Sequence, residues 1–93
     1  MTAFLTKEAD TQLHEILDYL EIEFSLKTSN EFLNRVIKAI EILETFPYRY
    51  PAVEKSPNIR KCVLNKRAIA YYRIDKKAQE IEIVSIQSTR RNN

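Results

Sequence analysis

Glycine is absent from these 93 residues. That excludes the Gly-rich phosphate loops, the dinucleotide-binding fingerprint and the Gly-dependent nucleophile elbow, and with them the usual nucleotide-cofactor enzymes. Chain reversals must then rest on Asn58, Asn65, Asp75 and the prolines Pro47, Pro51 and Pro57. A single cysteine, Cys62, rules out an intrachain disulfide and a Cys-based zinc site, and it fits a reducing compartment. Lying within an apolar run with no histidine beside it, Cys62 reads as a small buried hydrophobe. The single histidine, His14, has only Asp10, Glu15 and Asp18 near it in sequence. It reads as a surface or boundary residue, not as a metal ligand or a catalytic base. No run approaches the roughly 20 apolar residues of a membrane span, and no basic start leads into an apolar leader, so the cytoplasm is the expected compartment. Neither a metal nor a cofactor is expected.

What is present is the composition of an ordinary folded protein, 44% hydrophobic and 30% charged. Its length suits a single domain over residues 1–93 with one modest core. The net charge of +2 hides a division. Residues 1–58 hold six Lys/Arg against ten Asp/Glu, a balance of −4, whereas residues 59–93 hold nine against three, a balance of +6. An acidic half followed by a basic half suggests that the second half meets an anionic partner.

The basic half is organised as three short runs rich in Ile, Val and Tyr, IRKCVLN, KRAIAYYRID and IEIVSIQ. Such residues suit a half-buried pleated surface. The links are too short for parallel crossovers, so the runs read as an antiparallel meander reversing at Asn65-Lys66 and at Lys76–Gln79. Ahead of it, Thr2–Leu5 reads as an added edge strand. Thr6 reads as a helix N-cap with Glu8 and Asp10 in the first turn. Ala9, Leu13, Ile16, Leu17, Leu20 and Phe24 then form one apolar stripe at helical spacing. Ser25–Ser29 reads as a polar break, with Thr28 and Glu31 at capping-box spacing and Ser29 the other choice of cap. Phe32, Leu33, Val36, Ile37, Ile40 and Leu43 give a second stripe, which Phe46-Pro47 ends. Two helices so closely joined form an antiparallel hairpin, and a proline-punctuated loop leads from them to the strands. The expected fold is α+β, with the hairpin packed on a small twisted antiparallel sheet in the order β-α-α-β-β-β.

Arginines can cleave RNA without a metal by stabilising the charge that develops on phosphorus, and that makes Arg67, Arg73, Arg90 and Arg91 the residues of chemical interest. Such a site also needs a general base, and the basic half contains no histidine. A surface that binds phosphates or acidic groups needs fewer parts. Tyr71 and Tyr72 point to opposite sides of their strand, so at most one belongs to the core.

Four phrases, ADTQLHEILDYLE, AIEILETFPYRYP, AYYRID and the closing IEIVSIQSTRRNN, in this order, resemble the RelE/ParE superfamily of small toxins from bacterial type II toxin–antitoxin modules. The resemblance covers nearly the whole chain and includes the L-x-x-x-P junction of Leu43 and Pro47. It implies a growth-inhibiting toxin of the plasmid-stabilisation kind, held inactive by a cognate antitoxin that wraps an acidic and apolar segment around it. RelE-like members cleave messenger RNA on the ribosome, and ParE-like members inhibit DNA gyrase. In this sequence the RelE-type arginine positions are occupied by Ala68, beside Arg67, and by Thr89, and no Tyr or His follows. The T-R-R-N-N ending is similar to the T-R-Q-N-P of the ParE-like branch. The resemblance therefore implies a binding toxin, with Arg60, Lys61, Arg67, Arg73, Arg90 and Arg91 meeting the target. The antitoxin would be seated on Leu13, Leu17, Leu20 and Tyr71. The alternative is a ribosome-dependent mRNA endonuclease using Arg67, Arg73 and Arg90 with Tyr72 or Tyr71. A second alternative is a non-toxic, nucleic-acid-binding adaptor.

Overall fold

The computed structural model describes residues 1–89. It contains β1 (Thr2–Leu5), α1 (Lys7–Glu23), α2 (Leu26–Thr45), β2 (Ala52–Val53), β3 (Ser56–Asn65), β4 (Ala68–Asp75) and β5 (Glu80–Ser88). Thr6 caps α1 as expected, its hydroxyl accepting from the Ala9 amide at 3.1 Å. The second cap differs from expectation. Ser25, not Thr28 or Ser29, caps α2 by accepting from the Thr28 amide, so the break between the helices shrinks to Phe24 and Ser25. Ser29 instead lies inside α2, where its buried hydroxyl donates across the hairpin to the Leu17 carbonyl at 3.0 Å. A serine can cap or cross-link equally well, and which it does depends on where the neighbouring helix lies.

The sheet runs β1-β5-β4-β3-β2, and the helix hairpin packs on one face of it. The α+β arrangement is the one the sequence leads one to expect, with two additions. The edge strand β1 pairs with β5 in parallel, while every other pairing is antiparallel. Its outer edge is stopped by α2, where the Glu44 carboxylate accepts from the Ala3 amide at 2.8 Å. The proline loop also holds β2, which pairs with β3, and β3 begins at Ser56 instead of Ile59. Asn58 therefore lies in a strand and not in a turn.

β5 carries a bulge. Tyr71 pairs with Ser85 and Tyr72 with Ile83, so Val84 has no partner across β4. The extra residue shifts the alternation by one, and Ile81, Ile83 and Ile86 all face the helices. Ala9, Leu13, Leu20, Phe32, Val36 and Leu43 meet them from the helix side, with Cys62 and Tyr72 from the sheet. Three contacts lock α1 to the bulged strand. The Thr6 amide and hydroxyl donate to the Ile83 and Val84 carbonyls, and the Gln12 amide oxygen accepts from the Ile86 N–H at 2.7 Å.

Candidate functional site

Strand alternation decides where each cation goes. On β3, Arg60, Cys62 and Leu64 point toward the helices, while Lys61 and Val63 point away. On β4, Ala68, Ala70 and Tyr72 point inward, while Ile69, Tyr71 and Arg73 point outward. The register then sets Lys61, Tyr71 and Ser85 in one cross-strand row, and Val63, Ile69 and Gln87 in the next. Arg73 lies opposite Glu82 and forms an ion pair with it. This open face is an apolar strip flanked by Lys61 at one side and the Arg73–Glu82 pair at the other.

The expected target-binding set is thereby divided. Lys61 and Arg73 share the open face. Arg60 is on the helix side, where its Nη1 donates to the Tyr50 carbonyl and its guanidinium lies 5.1 Å from the Tyr48 ring centroid. Arg67 is in the β3–β4 turn. Arg90 and Arg91 lie outside the described residues.

Arg67 borders a second feature. A cleft of about 600 Å³ opens between α1, the β3–β4 turn and the end of β5. Ile16, Tyr19 and Leu20 form its helix wall, Ile86 its floor, and Lys66 and Arg67 its rim. The Arg67 guanidinium is 4.8 Å from the centroid of the exposed Phe24 ring, which in turn meets Tyr19 edge-on at 6.4 Å. Two residues hold this corner, Asn65 at the reversal expected of it and Thr89, whose structural role the sequence did not show. Thr89 clamps the turn, its amide donating to the Arg67 carbonyl at 2.8 Å and its hydroxyl to the Lys66 carbonyl. Asn65 shapes it from the other side, accepting from the Arg67 amide at 2.7 Å.

Of the residues expected to seat an antitoxin, Leu13 is 7% exposed and Leu20 is 2% exposed, so both side chains are taken up by the core. Leu17 is half-buried against that core, and Tyr71 is half-buried on the open face. Tyr72 is fully buried, and its hydroxyl donates to the Pro47 carbonyl at 2.8 Å. Burial pushes its pKa up, so at neutral pH it is a protonated phenol without access to a substrate. Burial likewise pushes up the Cys62 thiol. His14 is on the exposed face of α1, its pKa raised by the hydrogen bond to the Asp10 carbonyl and then by the Asp10 charge. Among the described residues no His/Cys/Asp/Glu group is arranged to hold a metal ion.

The fold is similar to a solved structure described as the chromosomal ParDE TA system from P. aeruginosa. The TM-score is 0.81 at 17% identity, covering 97% of each chain. No curated relative matches the sequence. The family model described as "ParE toxin of type II toxin-antitoxin system, parDE" matches residues 3–93. That span takes in both helices, the five strands save Thr2 at the start of β1, and the closing residues, and the chain belongs to the ParE toxin family of type II toxin–antitoxin systems.

Proposed function

We propose that this toxin acts by binding and not by chemistry, that DNA gyrase is its target, and that a cognate antitoxin neutralises it in the cytoplasm. The make-up of the open face carries the binding reading. Metal-free RNA cleavage needs a general base against the 2′-hydroxyl and an acid for the leaving oxygen, each with a pKa near neutrality. The open face offers Lys61, Tyr71 and an Arg73 already paired with Glu82. Tyr72 is turned away from it into the core, and His14 lies across the sheet on α1. An apolar strip flanked by charge is better suited to another protein's surface than to a scissile phosphate. Membership of the ParE family supports the same target class. For the antitoxin, the cleft beside Tyr19 would receive apolar side chains, and Lys66 and Arg67 would meet carboxylates. A disordered partner loses entropy on ordering, which favours a long interface reaching from the cleft onto the open face.

Brief expression in growing cells, followed by parallel assays of gyrase supercoiling and messenger-RNA integrity, tests this reading. Loss of supercoiling with intact transcripts is the expected result. Ribosome-dependent cleavage of transcripts with gyrase unaffected would overturn it.

A further inference from the structure

The loop after α2 is tied down by hydrogen bonds, yet it presents aromatic rings to solvent. Four bonds hold it. The Tyr72 hydroxyl donates to the Pro47 carbonyl, Arg60 donates to the Tyr50 carbonyl at 2.6 Å, the Lys61 amide donates to the Pro51 carbonyl at 3.0 Å, and the Arg49 amide donates back to Phe46. From this anchored loop Phe46 and Tyr48 project at 57% and 48% exposure. Two cations from separate parts of the sheet converge on the Tyr48 ring. The Arg60 guanidinium, from β3, lies 5.1 Å from its centroid, and the Lys76 ammonium, from the β4–β5 turn, lies 5.8 Å from it. Among the described residues the ion pairs are His14–Asp10 and Arg73–Glu82, and neither involves Arg60 or Lys76.

A ring quadrupole attracts cations but does not neutralise them, so both keep a charge that an anion can meet. Flat, exposed rings on a rigid support beside unpaired cations are the two parts of a single-strand nucleic-acid surface: a base stacks on the ring while the cations take its phosphate. A duplex keeps its bases stacked inside and cannot use the rings, and an acidic peptide would use the cations without needing them. We propose that residues 46–51, with Arg60 and Lys76, bind single-stranded nucleic acid, with phosphate met by Arg60 and Lys76 and a base against Phe46 or Tyr48. The site lies apart from the cleft and adjoins the open face at Lys76, which lines a concavity with Arg73 and Glu82; it does not depend on the identity of the toxin's target.

The test is fluorescence anisotropy of the full chain with labelled RNA and DNA single strands of about 12 nucleotides, a length within the usual span of such surfaces. Salt-sensitive binding is expected, with the corresponding duplex bound more weakly. Tyr48→Ala and Phe46→Ala should together weaken single-strand binding roughly tenfold by removing stacking. Lys76→Gln should weaken it and flatten the slope of log affinity against log salt by about 0.7, the share of one phosphate contact on a single strand. Lys38→Gln, on the exposed side of α2, should change nothing. Arg60 is spared because its bond to Tyr50 helps to hold the loop, and circular dichroism of each variant confirms that it is folded. Absence of single-strand binding at low salt would overturn the proposal. So would full binding by folded variants lacking both rings or Lys76. Displacement by poly-glutamate that is indifferent to loss of the rings would assign the cations to acidic peptides instead.

Discussion

At the residue scale, the missing glycine leaves one visible mark. The β4–β5 turn needs a left-handed residue, and Gln79 fills that position at φ 56°. A side chain with a Cβ is disfavoured there by about 1–2 kcal/mol, although the Gln79 amide recovers part of this by donating to the Lys76 carbonyl at 2.7 Å. The rest of the turn matches expectation, with Asp75 accepting from the Ala78 amide. Gln79→Gly should therefore raise stability by about 0.5 kcal/mol, the relief of strain exceeding the added freedom of the unfolded chain. Urea denaturation reads this, and a loss of stability would show that the Gln79 side chain matters more than its backbone. Tyr72 is the opposite case, a polar group buried because it has a partner. Tyr72→Phe leaves the Pro47 carbonyl without its donor and should cost about 1 kcal/mol in the same assay while the fold persists. It should also leave growth inhibition in place, because the hydroxyl is buried in the core. A folded Tyr72→Phe protein without toxicity would mean that the phenol takes part in function.

At the element scale, the helix hairpin and the bulged strand show how local choices are settled. Thr28 with Glu31 has better capping-box spacing than Ser25 offers, yet Ser25 is the cap. Beginning α2 at Leu26 places Ser29 against the Leu17 carbonyl, a bond that exists only when both helices are packed. Ser25→Ala should cost about 1 kcal/mol of stability. Thr28→Ala should cost less, because it removes only the exposed bond that the Thr28 hydroxyl accepts from Ser25, while the backbone N–H that completes the cap survives the substitution. Thermal unfolding of the two variants checks the order, and equal or reversed effects would place the helix start further along. In β5 the bulge is what lets Ile81, Ile83 and Ile86 share one face. Strict alternation would bring Ser85 and Gln87 inward in place of Ile86, and the extra Val84 is what avoids that.

At the scale of the whole molecule, the acidic half of the sequence supplies both helices and the two edge strands, and the basic half most of the three central strands. The cations nevertheless do not form one surface. Alternation sends Lys61 and Arg73 to the open face and Arg60 to the helix side, and the turn carries Lys66 and Arg67 to the mouth of the cleft. The cleft is the proposed seat of the antitoxin, and its rim supplies a test. Lys66→Glu with Arg67→Glu should weaken the antitoxin by about tenfold or more, since each swap turns attraction for a carboxylate into repulsion. Loss of the Arg67–Phe24 contact should lower the toxin's own stability by only about 0.5–1 kcal/mol. Titration calorimetry with the co-encoded antitoxin reads the affinity, and an unchanged value would move the antitoxin's seat away from the cleft.

The sequence by itself determined both helices, the edge strand β1, the three-strand meander and the layers, though not β2. Periodicity of 3.6 and of 2, the Thr6 cap and the Pro47 stop are local signals, and each acts over a few residues whatever the remainder of the chain does. It also identified the family resemblance, and it showed that one of Tyr71 and Tyr72 must leave the core. What tertiary structure decided was direction and company. It set β1 parallel to β5 and put Val84 in a bulge, and it gave Ser29 a partner on α1 and Thr89 two carbonyls in the β3–β4 turn. These choices follow from groups far apart in sequence competing for one buried space, and no local pattern encodes the winner. The same holds for the cations. Their number is written in the chain, but which of them share a face depends on pleat and register.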